Sequence, residues 1–286
     1  MNSLVPSTRQ AYAKAWEEFL GSGARRRERQ EEVVEDVIQF IMDLIGKGQS
    51  RVTISGKLSA LGFMGKLVWG YPPSAGKLRM RILQGWEKSF GQKGLEHQPI
   101  SLAMLKRLIT MLGDLCYDDH EVILFRTLMS WMFFGAFRVS ELLGLSEKSG
   151  ILWREVRAVR EGLALWVRQS KTDQKGLGVT VVLRRYPYKD ICPVNLGVQL
   201  RSKSVVSEGP VFCHADGRKV TAAQLLAILR KGLSGMGFDA ERFGTHSFRI
   251  GVATEAGGKG WDREEMMALG RWRSDCFRRY VRGGDC

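Results

Sequence analysis

Apolar residues recur at helical spacing through most of the first ninety positions. Ala11, Tyr12, Ala15, Trp16 and Phe19 follow Ser7-Thr8, a pair suited to cap a helix, and Gly21-Ser22-Gly23 closes the run. Val33, Val34, Val37, Ile38, Ile41, Leu44 and Ile45 predict a second amphipathic helix, stopped by Gly46. Residues 52–69 predict a third despite their three glycines, and Pro72-Pro73 then breaks the chain. Lys77–Phe90 predicts a fourth helix, and Gly91-Gln92-Lys93-Gly94 reads as a linker. The chain is therefore expected to divide into a helical domain, 1–94, and a second domain, 95–286.

The second part opens with helices predicted at 101–116 and 119–135. The period then changes. Leu163–Val167 and Val179–Leu183 read as strands flanking Asp173-Gln174-Lys175-Gly176-Leu177-Gly178, a hairpin turn. Helical patterns return near 195–204, 221–233, 246–257, 262–269 and 275–282. The expected fold class is mainly α with one small antiparallel sheet, an α+β organisation without internal repeats or low-complexity segments.

Charge narrows the partner. The 286 residues carry a net charge of +14 and have a 44% hydrophobic content, enough for a genuine core. So basic a chain favours a polyanion, most simply nucleic acid, with an anionic membrane surface as the weaker choice. Residues 1–95 hold 15 Lys and Arg against 9 Asp and Glu, and the remainder 29 against 21. A basic tail would concentrate the excess; this distribution points to two binding surfaces.

The five cysteines, at 116, 192, 213, 276 and 286, form no CxxC or Cys/His ligand spacing, so reduced thiols in an intracellular compartment are expected and a zinc site is not. No apolar signal segment opens the chain. The longest apolar run, around 128–137, is far short of the roughly 20 residues that span a bilayer. The final Gly-Gly-Asp-Cys does not fit a prenylation box.

Seven residues carry candidate chemistry. Arg138 emerges from the apolar segment Trp131–Ala136 with Glu141 three positions on, so the two share a helical face. They form either an internal ion pair or a guanidinium held for bidentate phosphate binding. Lys171 lies where the first strand enters the hairpin turn; it is either a solvated lysine or a mobile ammonium that can protonate a leaving oxygen, and Lys175 competes for that role. His246 and Arg249 share one face of a helix with Thr245 as its expected N-cap, suiting proton handling and phosphate clamping. Trp272, between Arg271 and Arg273, is either a packed core aromatic or an indole N–H donor for a phosphate oxygen. Tyr280, among Arg278, Arg279 and Arg282, is either a packed C-terminal tyrosine or a nucleophile activated by its surroundings.

In this order the seven resemble the motif of the tyrosine recombinase (phage-integrase-like) family: Arg, Glu or Asp, Lys, His-x-x-Arg, His or Trp, then Tyr. Arg138, Glu141, Lys171, His246, Arg249, Trp272 and Tyr280 fill every slot. The phrasing Gly-Thr-His-Ser-Phe-Arg-Ile-Gly followed by Leu-Gly-Arg-Trp is most similar to recombinases of eukaryotic DIRS-type retrotransposons. Ser7-Thr8-Arg9 with Tyr12, Trp16 and Phe19 resembles the opening helix of the family's core-binding domain, so the resemblance runs along nearly the whole chain.

The resemblance implies a site-specific recombinase or integrase of a mobile element. Tyr280 would attack a scissile phosphate to give a 3′-phosphotyrosyl enzyme and a free 5′-hydroxyl. Arg138, Arg249 and Trp272 would hold the phosphate, Lys171 would protonate the 5′-oxygen, and His246 with Glu141 would take the tyrosyl proton. It implies no cofactor and no metal, double-stranded DNA as partner, a homotetramer on DNA, no membrane and no small-molecule substrate. A eukaryotic host would place the protein in the nucleus. The alternatives are type IB topoisomerase-like cleavage and religation, or a domesticated DNA-binding protein without turnover.

Two features depart from the pattern. Trp272 precedes Tyr280 by eight residues, where many members have nine. Only six residues follow Tyr280, so a C-terminal helix donated to a neighbouring subunit is not expected.

Overall fold

The computed structural model describes residues 6–25, 32–73, 81–82, 84–85, 97–144, 150–168, 177–204, 206 and 208–281. The chain separates into two compact units, Met1–Leu95 and Glu96–Cys286.

The first unit contains α1 (Pro6–Gly21), α2 (Glu32–Gly46) and α3 (Arg51–Val68). The Ser50 Oγ accepts from the Thr53 backbone N–H at 3.2 Å and starts α3 by satisfying one of its free donors. The stripe of α2 that faces the core is Val33, Val37, Phe40, Ile41 and Leu44. Ile38, expected on that stripe, is 42% exposed, and Phe40 takes its place. The Trp16 ring meets Trp69 edge-on with centroids 4.7 Å apart, so the end of α3 is tied to α1. The fourth helix expected over 77–90 and the linker at 91–94 lie outside the described residues, apart from four positions within 81–85.

The second unit opens with α4 (Leu102–Leu115) and α5 (Asp119–Phe134), capped by Ser101 and Asp118. Ten of the eleven residues from Ile123 to Phe133 are buried, so α5 is the central rod of the core. Its polar groups are satisfied there. Thr127 donates to the Ile123 and Leu196 carbonyls, Ser130 to Ile191 and the Trp131 indole to Pro193, at 2.7 to 3.2 Å.

A short helix, α6 (Val139–Leu142), follows α5, and a three-stranded antiparallel sheet comes next: β1 (Val156–Val159), β2 (Gly162–Val167) and β3 (Val179–Arg184), in that order. Leu165 lies opposite Val156 on one side and Val181 on the other. The two expected strands are present, and β1 is additional. Four helices complete the unit: α7 (Pro193–Lys203), α8 (Ala222–Gly235), α9 (Ser247–Gly258) and α10 (Arg263–Gly270). The last expected helix is a 3₁₀ turn, Asp275–Arg279, that delivers Tyr280.

α9 runs close against the segment that enters α4. A Cβ on Gly251 would come within 1.9 Å of the Ile100 carbonyl, so only glycine permits that approach. The backbone there is fixed by a 3.0 Å bond from the Ile100 N–H to the Ser247 carbonyl. No helix among the described residues is long and apolar enough to cross a membrane.

Candidate active site

The site begins where α5 stops. Gly135 caps the helix, Ala136 turns with φ of 45°, Phe137 is buried, and Arg138 leads into α6. A side chain at positive φ is disfavoured, so this turn persists only because its surroundings hold it. Glu141, third in α6, reaches back to Arg138. Its Oε2 accepts the Arg138 backbone N–H at 3.0 Å, and its Oε1 accepts the Arg138 Nη1 at 2.9 Å. The Glu141 side chain is 1% exposed and that of Arg138 13%, so the pair presents one edge of a guanidinium outwards. The internal ion pair, one of the two alternatives posed by the sequence, is present, and the same contact fixes the guanidinium in place.

Arg249, on the first turn of α9, is fully buried. Its Nη1 donates to the Ala136 carbonyl and its Nη2 to the Gly270 carbonyl, which ties α9 to the exits of α5 and α10. Burial, then the charges of Arg138 and Arg271, pull its pKa down to about 10, against Glu141 and Tyr280. It stays a cation at neutral pH.

Trp272 lies on Arg249, with the guanidinium carbon 4.5 Å from the ring centre. Its indole Nε1 is buried and has no hydrogen-bond partner among the described residues, and the same is true of the Arg249 Nε. Gly270 makes this packing possible, because a Cβ there would fall 2.2 Å from the Trp272 ring. Trp272 is thus both a packed aromatic, in a small cluster with Ala253, Met266 and Phe277, and a buried unspent donor.

Tyr280 closes the group. Its ring centre lies 5.3 Å from that of Trp272 and 5.7 Å from the Arg249 guanidinium carbon. Its backbone is pinned at both ends: the N–H donates to the Phe277 carbonyl at 2.7 Å, and its own carbonyl accepts from the Thr254 hydroxyl at 3.2 Å. The cation facing the Tyr280 ring is Arg249. Arg278 and Arg279, its chain neighbours, are exposed, and Arg278 faces Asp275 at 4.0 Å.

His246 occupies the N-cap position of α9, one residue later than the Thr245 cap expected from sequence, and is exposed there, three residues ahead of Arg249. Lys171, with its competitor Lys175, lies outside the described residues. Five of the seven candidates, Arg138, Glu141, Arg249, Trp272 and Tyr280, therefore converge through direct contacts or shared carbonyls.

One residue of the cluster is not in the motif. Arg271 donates to Glu141 Oε2 at 2.9 Å and lies over the Phe137 ring at 5.0 Å. Burial holds its pKa below the ordinary arginine value, and Glu141 partly restores it. A sequence signal for it exists: Arg271 stands nine residues before Tyr280, the commoner spacing, where Trp272 stands eight. No group of three or more His, Cys, Asp and Glu side chains among the described residues is placed to hold a metal ion.

No family model matches the chain. An integrase/recombinase XerD homologue of Selenomonas ruminantium is 26% identical over 274 residues, covering 88% of this chain and 74% of that protein. This similarity supports the tyrosine recombinase and integrase family. Solved structures of such recombinases share the fold at much lower identity. XerH site-specific recombinase, in a pre-cleavage complex with its difH substrate, aligns with a TM-score of 0.68 and 15% identity over 96% of this chain and 76% of that one. A lambda integrase dimer bound to a core site gives 0.64 and 13%, over 99% and 92%. The Tn1549 transposon integrase in complex with circular intermediate DNA gives 0.62 and 13%, over 97% and 95%.

Proposed function

We propose that this recombinase cuts and rejoins DNA at specific sites with Tyr280 as its nucleophile. The observation that carries the assignment is the meeting of the Arg249 guanidinium, an unspent indole donor and a phenol, with a second guanidinium, Arg138, held nearby by a buried carboxylate. A transferring phosphoryl group needs that set: donors aimed at non-bridging oxygens, where charge develops, beside an attacking hydroxyl.

The Tyr280 oxygen forms a bond to phosphorus as the bond to the 5′-oxygen breaks. His246 takes the tyrosyl proton, and Lys171 supplies one to the leaving 5′-oxygen. The phosphodiester energy stays in the tyrosyl ester, so attack by a second 5′-hydroxyl restores DNA and free tyrosine. Arg138 and Trp272 supply donors to the phosphate. Arg249 is sealed beneath the Trp272 and Tyr280 rings, so the segment bearing Tyr280 shifts when phosphate enters.

Double-stranded DNA is the substrate, clamped by residues 1–94 and the catalytic domain 95–286, with four protomers exchanging strands. The excess of basic residues in both parts of the chain supports two DNA-facing surfaces. The phrasing around His246 and Trp272 supports an origin in a DIRS-type retrotransposon, hence work in a nucleus. Strand joining is the test: a duplex cut by the protein should be resealed to a supplied 5′-hydroxyl strand of a second duplex. Resealing only of the original ends would favour the topoisomerase-like reading.

A further inference from the structure

Among the described residues, two that are not glycine adopt positive φ: Ala136 at 45° and Arg271 at 56°. They are hydrogen-bonded to each other. The Arg271 Nη2 donates to the Ala136 carbonyl at 3.2 Å, and its Nη1 donates to the Gly135 carbonyl at 2.8 Å. Arg271 closes α10 in the left-handed conformation that glycine normally supplies at a helix end. The chain thus places a disfavoured residue there, and its side chain crosses to a second disfavoured turn.

The contacts of Arg271 are the supports of the two clamp arginines. Glu141 Oε2 takes the Arg138 backbone N–H and the Arg271 Nη2, while Oε1 takes the Arg138 side chain. The Ala136 carbonyl takes Arg249 Nη1 and Arg271 Nη2. One guanidinium therefore touches both the carboxylate that aims Arg138 and the carbonyl that seats Arg249. A third cation in so small a space, with only 14% of its side chain exposed, repels the other two, which purely cohesive packing would avoid by using an apolar residue.

We propose that Arg271 is a positioning residue for cleavage: it fixes the Glu141 carboxylate and the Ala136 carbonyl so that Arg138 and Arg249 meet the scissile phosphate together. The proposal rests on the recombinase reading above. Arg271 acts through these two groups and does not itself need to touch the DNA. Lysine in its place keeps charge and stem but loses the planar fork that spans three acceptors.

The test compares wild type, Arg271→Lys, Arg271→Ala, Glu141→Gln and the Arg271→Lys/Glu141→Gln pair on nicked duplexes. The duplexes are drawn from a randomised pool by selection with the wild-type protein. Single-turnover formation of the covalent adduct at saturating DNA is measured beside Kd and thermal unfolding. A misaimed clamp should slow adduct formation by about 10²-fold in Arg271→Lys while Kd moves less than about threefold. Because Arg271 and Glu141 act as one unit, Arg271→Lys should cost less than about threefold more in the Glu141→Gln background.

Cleavage by Arg271→Lys at the wild-type rate overturns the proposal. So does a rate loss matched by an equal loss in Kd, or a loss that multiplies in full with Glu141→Gln. Should Arg271→Ala unfold, Arg271→Lys carries the comparison. A wild-type protein that forms no adduct sinks the recombinase reading itself, and the positioning role with it.

Discussion

The Arg249 guanidinium sits 4.5 Å from the centre of the Trp272 ring, and the buried indole N–H beside it has no hydrogen-bond partner among the described residues. Stacking and donation are separable functions of one side chain. Trp272→Phe keeps an aromatic face on Arg249 and removes the donor. Loss of one such donor typically costs about 10²–10³ in rate, so Trp272→Phe should fold, bind DNA and cleave slowly. Single-turnover cleavage beside a melting curve checks this; wild-type cleavage by the variant would reduce Trp272 to a packing residue.

Arg249 should behave differently, because it is a structural strut as well as the proposed phosphate clamp. Arg249→Ala leaves the Gly270 carbonyl without its arginine donor and the Ala136 carbonyl with only Arg271, at about 1–3 kcal/mol for each lost buried bond. Thermal unfolding should fall clearly for Arg249→Ala and hardly for Tyr280→Phe, which keeps the ring against Trp272. Equal melting temperatures for Arg249→Ala and wild type would contradict the burial described.

DNA affinity should depend steeply on salt. With a net charge of +14 spread over both parts of the chain, most contacts should fall on phosphates. A protein making about 6–10 phosphate contacts loses roughly 10³–10⁵ in affinity between 50 and 200 mM salt. A titration in which binding barely changes over that range would speak against a phosphate-borne clamp.

The thiols make an independent check of the fold. Burial pushes the Cys116 pKa up to about 11, with Glu121 and Asp118 adding to it, and burial also raises that of Cys213. A raised thiol pKa means less thiolate at neutral pH, and labelling that quickens as pH climbs towards that value. Cys276 is exposed, whereas Cys192 and Cys213 are buried. Alkylation at pH 7.5 followed by peptide mapping should therefore find Cys276 labelled before Cys116, Cys192 and Cys213. Early labelling of Cys192 or Cys213 would contradict the core.

Much of this was legible in the amino-acid sequence, for reasons that differ by element. α2, α4 and α8 are amphipathic and announce themselves by period, so their observed ends fall within a residue or two of the expected ones. β1 did not, because its four residues are mostly exposed and include Arg157, which leaves no alternation to read. Ile38 and Phe40 changed places because both are apolar and only packing decides which turns inwards. Arg138, Arg249 and Tyr280 stood out as charged or phenolic groups in apolar or basic settings. Arg271 carries only the spacing signal of nine residues before Tyr280, and otherwise reads as one of two arginines flanking Trp272 until its side chain is seen crossing to Glu141 and Ala136.

The most direct test of the central claim is covalent capture. A pool of nicked duplexes of randomised sequence, in which cleavage releases a short strand and blocks resealing, is incubated with wild type and with Tyr280→Phe. SDS-resistant protein–DNA species are then isolated, digested and mapped by mass spectrometry. The expected result is a nucleotide-bearing peptide modified on Tyr280 in the wild type and none in Tyr280→Phe. An adduct on another residue, or one of equal yield in the two proteins, would contradict Tyr280 as the nucleophile.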